Sequence, residues 1–523
     1  MFRYDKTLTP QLFSNGPRDL VKVNSDAWLY IDLFEALDLR EFSLEYRGQG
    51  EEGIHPMLML RTIFYGLTHG VVTGRKLEEV CHFDNRFIVL SGNQKPSYRS
   101  FSRFLVRHDK RLKELFAQVV QLAQQMGLVS LGRVAIDGSR FKANSSRHKA
   151  MSYDRMQKAV VEITAELEKL KKDLGEENSQ EQTVHNLPQE ILLREKRLAK
   201  IQAAKKALEK EKGRALKGKD QKSFADHEAL PMAKPKDGFM YGYNCQAAVD
   251  EKRQIIVAAE VHDSAADCGA LNSMVEKVQE NGGEFPGAVL ADAGYKSVDN
   301  LKAIEDKKVE AYIAVGRGEC VGERGHLESL TFEESSQSYR CLAGKIISIR
   351  SQRQEDSWSL QMSADHCSEC PLISSCHLSS RQGKTFRVPI GKNLQLIIDH
   401  QVRMRSAKGR EIYRRRKVIV EPVFGNIKNK GLKIFVRGKH RVDRWWKMVC
   451  TAHNLEKILR QWPSDKDGAD RPLKIAHQIS TFFNFILERT ATLQKSNFLG
   501  LIDGFLTEKV MHRPAQCLCV PSS

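Results

Sequence analysis

Three acidic residues, far apart in the chain, each follow an apolar run and could act together as metal ligands. They are Asp137 within 134–138, Asp292 within 289–295 and Glu421 within 418–425. We expect the two aspartates at the ends of buried strands and the glutamate at the start of a helix. Three oxygen ligands without a neighbouring His or Cys favour Mg²⁺ or Mn²⁺ over zinc. A pair of such ions can promote in-line attack on a phosphodiester.

The residues around these acids resemble the DDE transposases of bacterial insertion sequences, most closely the branch with an InsH-type helical N-terminal domain. The resemblance covers about residues 56–459 and includes the segments Tyr243–Asp250 and Tyr413–Lys428. It implies an enzyme that cuts DNA at the inverted-repeat ends of a transposon and joins them to target DNA. It also implies that the three acids are the catalytic ligands of Mg²⁺ or Mn²⁺.

Related insertion-sequence transposases carry a Tyr-Arg-Glu-Lys signature, and Tyr413, Arg416, Glu421 and Lys428 resemble it. Arg416 is one position further from Glu421 than the common signature has it, whereas Lys417 shares the helix face of Glu421. The choice between these two as the phosphate contact is left open. Because a residue before proline avoids the α conformation, Glu421 is either inside a helix or its N-cap. The expected DNA-binding residues are Tyr413, Arg414, Arg415, Arg416, Lys417 and Lys428.

Charge supports a polyanionic partner. The chain has 523 residues with 83 Lys and Arg against 65 Asp and Glu, a formal net charge of 83 − 65 = +18. A run of basic residues is usually a solvated face. Here the basic residues within 403–417 directly precede a candidate catalytic acid, which favours contact with the phosphates of double-stranded DNA. The resemblance implies a homodimer on paired transposon ends.

The sequence gives no sign of a membrane or an exported protein. It contains no apolar run of about 18 residues, the length that a spanning helix needs. The first residues lack the apolar region of a signal peptide. We therefore expect mostly reduced cysteines and a cytoplasmic, nucleoid-associated protein without membrane contact.

The length predicts several structural units. Residues 1–125 are predicted to be helical, with helices beginning at Pro56 and near Pro96. Such helices form either a DNA-binding module or a simple packing bundle, and the resemblance favours binding to transposon ends. Residues 461–523 are predicted to be a C-terminal helical tail.

Residues 130–460 are predicted to form an α/β catalytic domain. The order of strands and helices is that of the RNase H-like fold, a mixed sheet flanked by helices. Two inserts interrupt it. An apolar seam from Met156 to Leu174, followed by a weaker one, predicts a helical hairpin over 150–215. A cysteine-containing insert covers 318–395. The pair Trp445 and Trp446 either packs in the core or stacks on unpaired bases.

The cysteine-containing insert could hold a second metal. Cys367 and Cys370 have the C-x2-C spacing of zinc sites, and Cys341 and Cys376 could complete a four-sulfur set. The spacing departs from the usual pair of C-x2-C motifs. The alternatives are structural zinc and unmetallated, reduced cysteines.

Three functions fit these features. The first is an active DNA transposase. The second is a nuclease of RNase H-like fold that hydrolyses DNA without joining strands. The third is a DNA-binding protein that derives from a transposase and has lost catalysis. The basic segment and the large helical N-terminal region favour the first over the second, and the presence of all three acids argues against the third.

Overall fold

The computed structural model describes residues 2–3, 16–44, 46, 53–145, 150–177, 187–212, 217–218, 220–234, 238–315, 327, 330–352, 357–374, 376, 382–389 and 393–461. The contacts divide the chain into one unit that ends at Gln461 and a second that begins at Trp462. The second unit lies outside the described residues, and so does the predicted C-terminal tail.

Helices make up most of the described part of residues 1–125. They are α1 (Asp26–Ala36), α2 (Arg40–Leu44), α3 (Pro56–Thr68), α4 (Gly74–Phe83), α5 (Asn85–Leu90), α6 (Tyr98–Arg107) and α7 (Asp109–Gln125). Pro56 is the first residue of α3. Proline is well suited to this position, because the backbone N–H that it lacks would have no partner within the helix. Ser97 caps α6 by accepting from the N–H of Ser100. The short strands β1 (Phe2–Arg3) and β2 (Gly53–Ile54) pair in parallel.

Among the described residues, a six-stranded mixed sheet forms the centre of the fold. Its strands are β3 (Arg133–Lys142), β6 (Leu230–Lys234), β7 (Gly238–Asp250), β8 (Ile256–His262), β9 (Ala288–Ala291) and β10 (Glu310–Ile313). The order is β10-β9-β3-β7-β6, and β8 also pairs with β7. Strands β3, β9 and β10 are parallel, whereas β7 is antiparallel to its three neighbours. The expected α/β class with a mixed sheet is thus confirmed.

Two long helices leave the sheet between β3 and β6. Helix α8 (Tyr153–Glu177) and helix α9 (Leu187–Lys212) follow the strand β4 (Ala150–Ser152), and β5 (Gln221–Ser223) pairs antiparallel with β4. The hydrogen bond from Tyr153 to Glu209 and the ion pair of Lys171 with Glu195 show that the helices run antiparallel. Their shared core is apolar and includes Met156, Ile163, Leu167, Ile191, Ile201 and Ala204.

Helices cover the central sheet and connect it to the N-terminal helices. They are α10 (Leu271–Gly282), α11 (Val298–Asp306), α13 (Leu394–Arg405), α14 (Ala407–Asn429) and α15 (Lys439–Leu459). Helix α15 packs against β8 as well as against α3 and α7. Arg444 of α15 is buried and donates to Asp109 and to the carbonyl of Leu105, which fastens this contact.

A separate small sheet precedes α13. It consists of β11 (Leu330–Glu333), β12 (Ser338–Cys341), β13 (Ile346–Gln352), β14 (Ser357–Met362) and β15 (Lys384–Pro389), all antiparallel, with the short helix α12 (Asp365–Ser368) beside it. Its core includes Tyr339 and Leu360 and extends to Leu394, the first residue of α13. Within the described residues, no helix combines the length and apolar character needed to cross a membrane.

Candidate active site

Asp137 lies in the middle of β3, so the expectation that it ends a strand is wrong. Strand β3 continues to Lys142 because it pairs with β7 along its length, from Val134 opposite Asp250 to Lys142 opposite Gly242. Oδ1 of Asp137 accepts from the N–H of Gly138 at 2.9 Å.

Asp292 directly follows β9, the parallel neighbour of β3. Ala135 of β3 is level with Leu290 of β9, and each aspartate comes two residues later in the chain. Neighbouring strands are about 4.8 Å apart, so the shared register brings the two carboxylates to one place. Asp292 follows the last residue of β9, and its Oδ1 accepts from the N–H of Gly294 at 2.8 Å. For Asp292, the expected position at a strand end is correct.

Beside the two aspartates lies a third charged group, the guanidinium of Arg416. Nη2 of Arg416 lies 2.9 Å from Oδ2 of Asp137, and the two side chains are only 10% and 21% exposed. Burial raises the pKa of Asp137, and the nearby charges of Asp292 and Asp267 raise it too, whereas Arg416 opposes the shift. Neighbouring carboxylates in a partly buried site repel one another. A divalent cation bound between them would offset this repulsion, and their oxygens are suitable ligands for it.

Asp267 is a member of the site that the sequence analysis missed. Its Oδ1 accepts from Nδ2 of Asn244 at 2.7 Å and from Nε2 of Gln246 at 2.8 Å. The hydroxyl of the buried Tyr295 in turn donates to Oε1 of Gln246. Asp267 directly precedes a short 3-10 helix, Cys268–Ala270, but its carboxylate makes no cap hydrogen bond there. The polar pair Asn244 and Gln246 on β7 is the available sequence signal, because buried amides need partners.

This polar network fills the space between the backbones that carry the two aspartates. A Cβ at Gly138 would lie 2.3 Å from Nε2 of Gln246 and 2.9 Å from Oδ1 of Asp267. A Cβ at Gly294 would lie 3.6 Å from Oδ2 of Asp267. Glycine at position 138 therefore permits a contact that any side chain would prevent.

Glu421 is not brought to the two aspartates. It is exposed and lies in the interior of α14, about 140° around the helix from Arg416 at 3.6 residues per turn. Among the described residues, it does not form a group of metal-ligand spacing with Asp137 and Asp292. The expectation that it begins or caps a helix is wrong, because α14 begins at Ala407.

Pro422 is accommodated inside α14 by a side chain from the sheet. Proline has no N–H to donate to the carbonyl four residues earlier, which is that of Val418. Nε2 of Gln254 donates to this carbonyl at 2.9 Å. The helix can therefore continue through the proline to Asn429.

The basic residues of α14 divide into two groups. Arg416 is buried against Asp137, while Arg415 pairs with Glu251 at the end of β7. The remaining members, Lys408, Arg410, Arg414, Lys417 and Lys428, are exposed. Tyr413 is half-buried, its pKa is raised by burial, and it lies within electrostatic reach of both aspartates.

Trp446 belongs to the core. It is fully buried, its ring is stacked on that of Phe424, and its Nε1 donates to the carbonyl of Gln246 at 2.7 Å. It cannot stack on a base in this arrangement, which favours the packing interpretation for this residue.

No group of three or more His, Cys, Asp or Glu side chains is spaced to hold a metal ion in the part of the chain that the structure describes. The two neighbouring aspartates would need a further ligand from DNA, water or a rearranged side chain.

The fold and the site define a mixed α/β protein with one carboxylate in a strand of the sheet and a second directly after the neighbouring parallel strand. Residues 340–459 match a family model described as a transposase DDE domain, and residues 20–107 match a transposase domain (DUF772). The first match contains Glu421 and the basic residues of α14, but neither aspartate. No curated protein and no solved structure matches the chain. The two family matches support the resemblance to a DDE-type insertion-sequence transposase, and both families indicate DNA transposition as a general role.

Proposed function

We propose that the chain is an active transposase that cuts DNA at the inverted-repeat ends of its element and joins those ends to target DNA. The observation that supports this most is that Asp137 of β3 lies near Asp292, which directly follows the adjacent parallel strand β9. A site of this kind suits phosphoryl transfer, because paired carboxylates can hold divalent cations against phosphate oxygens. The mixed sheet with its flanking helices would then be an RNase H-like core.

Asp137 and Asp292 would hold Mg²⁺ or Mn²⁺, and Glu421 is the proposed third ligand. Bound in pairs, such ions activate the attacking hydroxyl and stabilise the leaving oxygen. Glu421 can reach the aspartates only if α14 turns or bends. Pro422 is the natural position for a bend, since the helix lacks one backbone hydrogen bond there. Asp267 would hold Asn244 and Gln246 of β7 in place, and Gln246 also accepts from the hydroxyl of Tyr295, which lies three residues after Asp292.

The exposed basic residues would bind the DNA backbone. Lys417 and Lys428 lie about 100° and about 120° around α14 from Arg416, close to Glu421 at about 140°. Phosphate contacts of this kind provide affinity without reading sequence. The helices of residues 20–107 are the proposed reader of the transposon ends, and a homodimer would hold two ends together in the cytoplasm, at the nucleoid.

A cleavage assay tests the catalytic proposal. The substrate is DNA that carries the inverted repeats flanking the reading frame, in the presence of Mg²⁺. We expect Asp137→Asn, Asp292→Asn and Glu421→Gln each to lower the cleavage rate by more than the roughly 100-fold loss typical of outer-shell changes. DNA binding should persist, because affinity comes mainly from the basic residues.

Asp263→Asn is the matched control, because Asp263 is an exposed acid on the loop before Asp267. It should cut at the wild-type rate. If Glu421→Gln cleaves at the wild-type rate, Glu421 is not a metal ligand, and only the two aspartates remain as proposed ligands. Wild-type cleavage in either aspartate variant would contradict the proposed site itself.

The alternatives predict other outcomes. A nuclease without strand transfer would cut the ends but would not join pre-cleaved ends with free 3′-hydroxyls to a target plasmid. A non-enzymatic DNA-binding protein would retard the same DNA in a gel but would neither cleave it nor join its ends to the plasmid.

A further inference from the structure

The four cysteines of the cysteine-containing insert come together in the structure. Cys341 ends β12, Cys367 lies in α12, and Cys370 and Cys376 follow that helix. All four line one pocket, together with His366. None of the described cysteines is in a disulfide, so the thiols are available as ligands.

Two tight turns present these thiols. The N–H of Gly344 donates to the carbonyl of Cys341 at 2.8 Å, and Gly344 has the left-handed φ of 77° that favours glycine. On the other side, the N–H of Cys370 donates to the carbonyl of Cys367 at 3.4 Å. Nζ of Lys345 donates to the carbonyl of His366 at 3.0 Å, which connects the two turns.

A buried nitrogen in this pocket has no hydrogen-bond partner. Nε2 of His366 is shielded from solvent and makes no hydrogen bond in the described structure. A buried polar atom of this kind costs about 1–3 kcal/mol unless something satisfies it. A thiolate sulfur would satisfy it, because a negatively charged sulfur accepts from an imidazole N–H.

We propose that this pocket is a structural zinc site with Cys341, Cys367, Cys370 and Cys376 as ligands. His366 would donate from Nε2 to one of the thiolates. Four soft sulfur ligands select zinc over the oxygen-preferring Mg²⁺ of the aspartate site. Since no three of these side chains in the described structure have metal-ligand spacing, binding would draw the thiols together.

The site would stabilise the sheet that leads into the catalytic helix. The core of β11–β15 contains Cys367 and reaches Leu394 of α13, and α13 is followed directly by α14. A segment of this size has little room for an apolar core and gains much from a metal. Zinc would therefore hold in place the sheet from which α13 and α14 begin.

The test measures the metal in the full-length protein and needs no catalysis, so its result is independent of the transposase activity. We expect about one zinc per chain in the purified protein. Cys370→Ser should lose most of this zinc, while Cys268→Ser, which removes a partly buried thiol outside the pocket, should keep it.

A second measurement applies even if Cys370→Ser does not fold. A chelator should release zinc from the wild-type protein and increase the number of thiols that react with a thiol reagent, and Co²⁺ added in place of zinc should give thiolate charge-transfer absorption. His366→Gln should retain the metal but release it faster. Protein without zinc that also fails to bind added Zn²⁺ after reduction would overturn the proposal, as would zinc content that is equal in all variants.

Discussion

Arg416 donates from Nη2 to Oδ2 of Asp137 at 2.9 Å. The sequence left open whether Arg416 or Lys417 contacts phosphate. In this structure Arg416 forms an ion pair with Asp137, a proposed metal ligand, whereas Lys417 is exposed. A divalent cation and a guanidinium group compete for the same carboxylate, because each is attracted to its negative charge. Binding of metal at Asp137 is therefore expected to loosen Arg416.

The first prediction follows from this competition. Arg416→Met keeps much of the side-chain volume and removes the charge, so DNA-free protein should bind Mn²⁺ more tightly, by about 10-fold if roughly 1.4 kcal/mol of the ion pair is released. Isothermal titration with Mn²⁺ measures the difference. Arg415→Met is the control, because Arg415 pairs with Glu251 and not with the site. Equal Mn²⁺ affinity in the two variants would contradict the competition.

The second prediction concerns Asp267 as a positioning residue. Asp267→Asn keeps the shape but loses the charge that Asn244 and Gln246 donate to. We expect cleavage to fall by about 10–100-fold and the free energy of unfolding to fall by about 1–3 kcal/mol. DNA affinity should be unchanged. The variant should also need more Mg²⁺ for half-maximal rate, a shift that simple destabilisation does not cause. A normal Mg²⁺ dependence would show that Asp267 supports the fold alone.

The third prediction uses the pair Pro422 and Gln254 in a double-mutant cycle. Gln254→Ala leaves the carbonyl of Val418 without its donor and should cost about 1 kcal/mol of stability. Pro422→Ala restores a backbone N–H to that carbonyl, so the same Gln254→Ala change should cost less in that background. Denaturant unfolding of the four proteins measures the coupling. The contact of Gln254 with Lys457 is lost in both backgrounds and cancels. Additive effects would show that Gln254 does not compensate for the proline.

The sequence predicted the strands and the candidate carboxylates. It predicted only part of how these residues come together in the fold. The runs before Asp137 and Asp292 predicted strands, and their parallel register made the two acids neighbours. The polar network of Asp267 was not predictable, because its members come from β7 and from a loop that share no local pattern. The sequence left open whether a helix continues through Pro422, since the support for this helix comes from Gln254, 168 residues away in the chain (422 − 254).

The fourth prediction concerns stability in mild acid. His400 of α13 is buried, and its Nε2 accepts from the N–H of Ile313 at 3.3 Å, a bond that requires a neutral ring. Burial, together with the charges of Lys296 and Arg403, lowers the pKa of His400 to about 4. The unfolded chain has the ordinary pKa of about 6.5. Between these values only the unfolded state binds the proton, so stability is full above about pH 6.5 and falls as the pH decreases toward 4.

At pH 5 the loss from His400 amounts to about 2 kcal/mol relative to pH 7. His108 and His453 also have pKa values lowered to about 4 by burial, so they add to the slope. His400→Gln should therefore reduce the pH dependence of unfolding in urea between pH 7 and pH 5 without abolishing it. His82→Gln, at an exposed position, should leave the slope at its wild-type value. If His400→Gln unfolds with the wild-type pH dependence, His400 is not the buried neutral group that the contact with Ile313 requires.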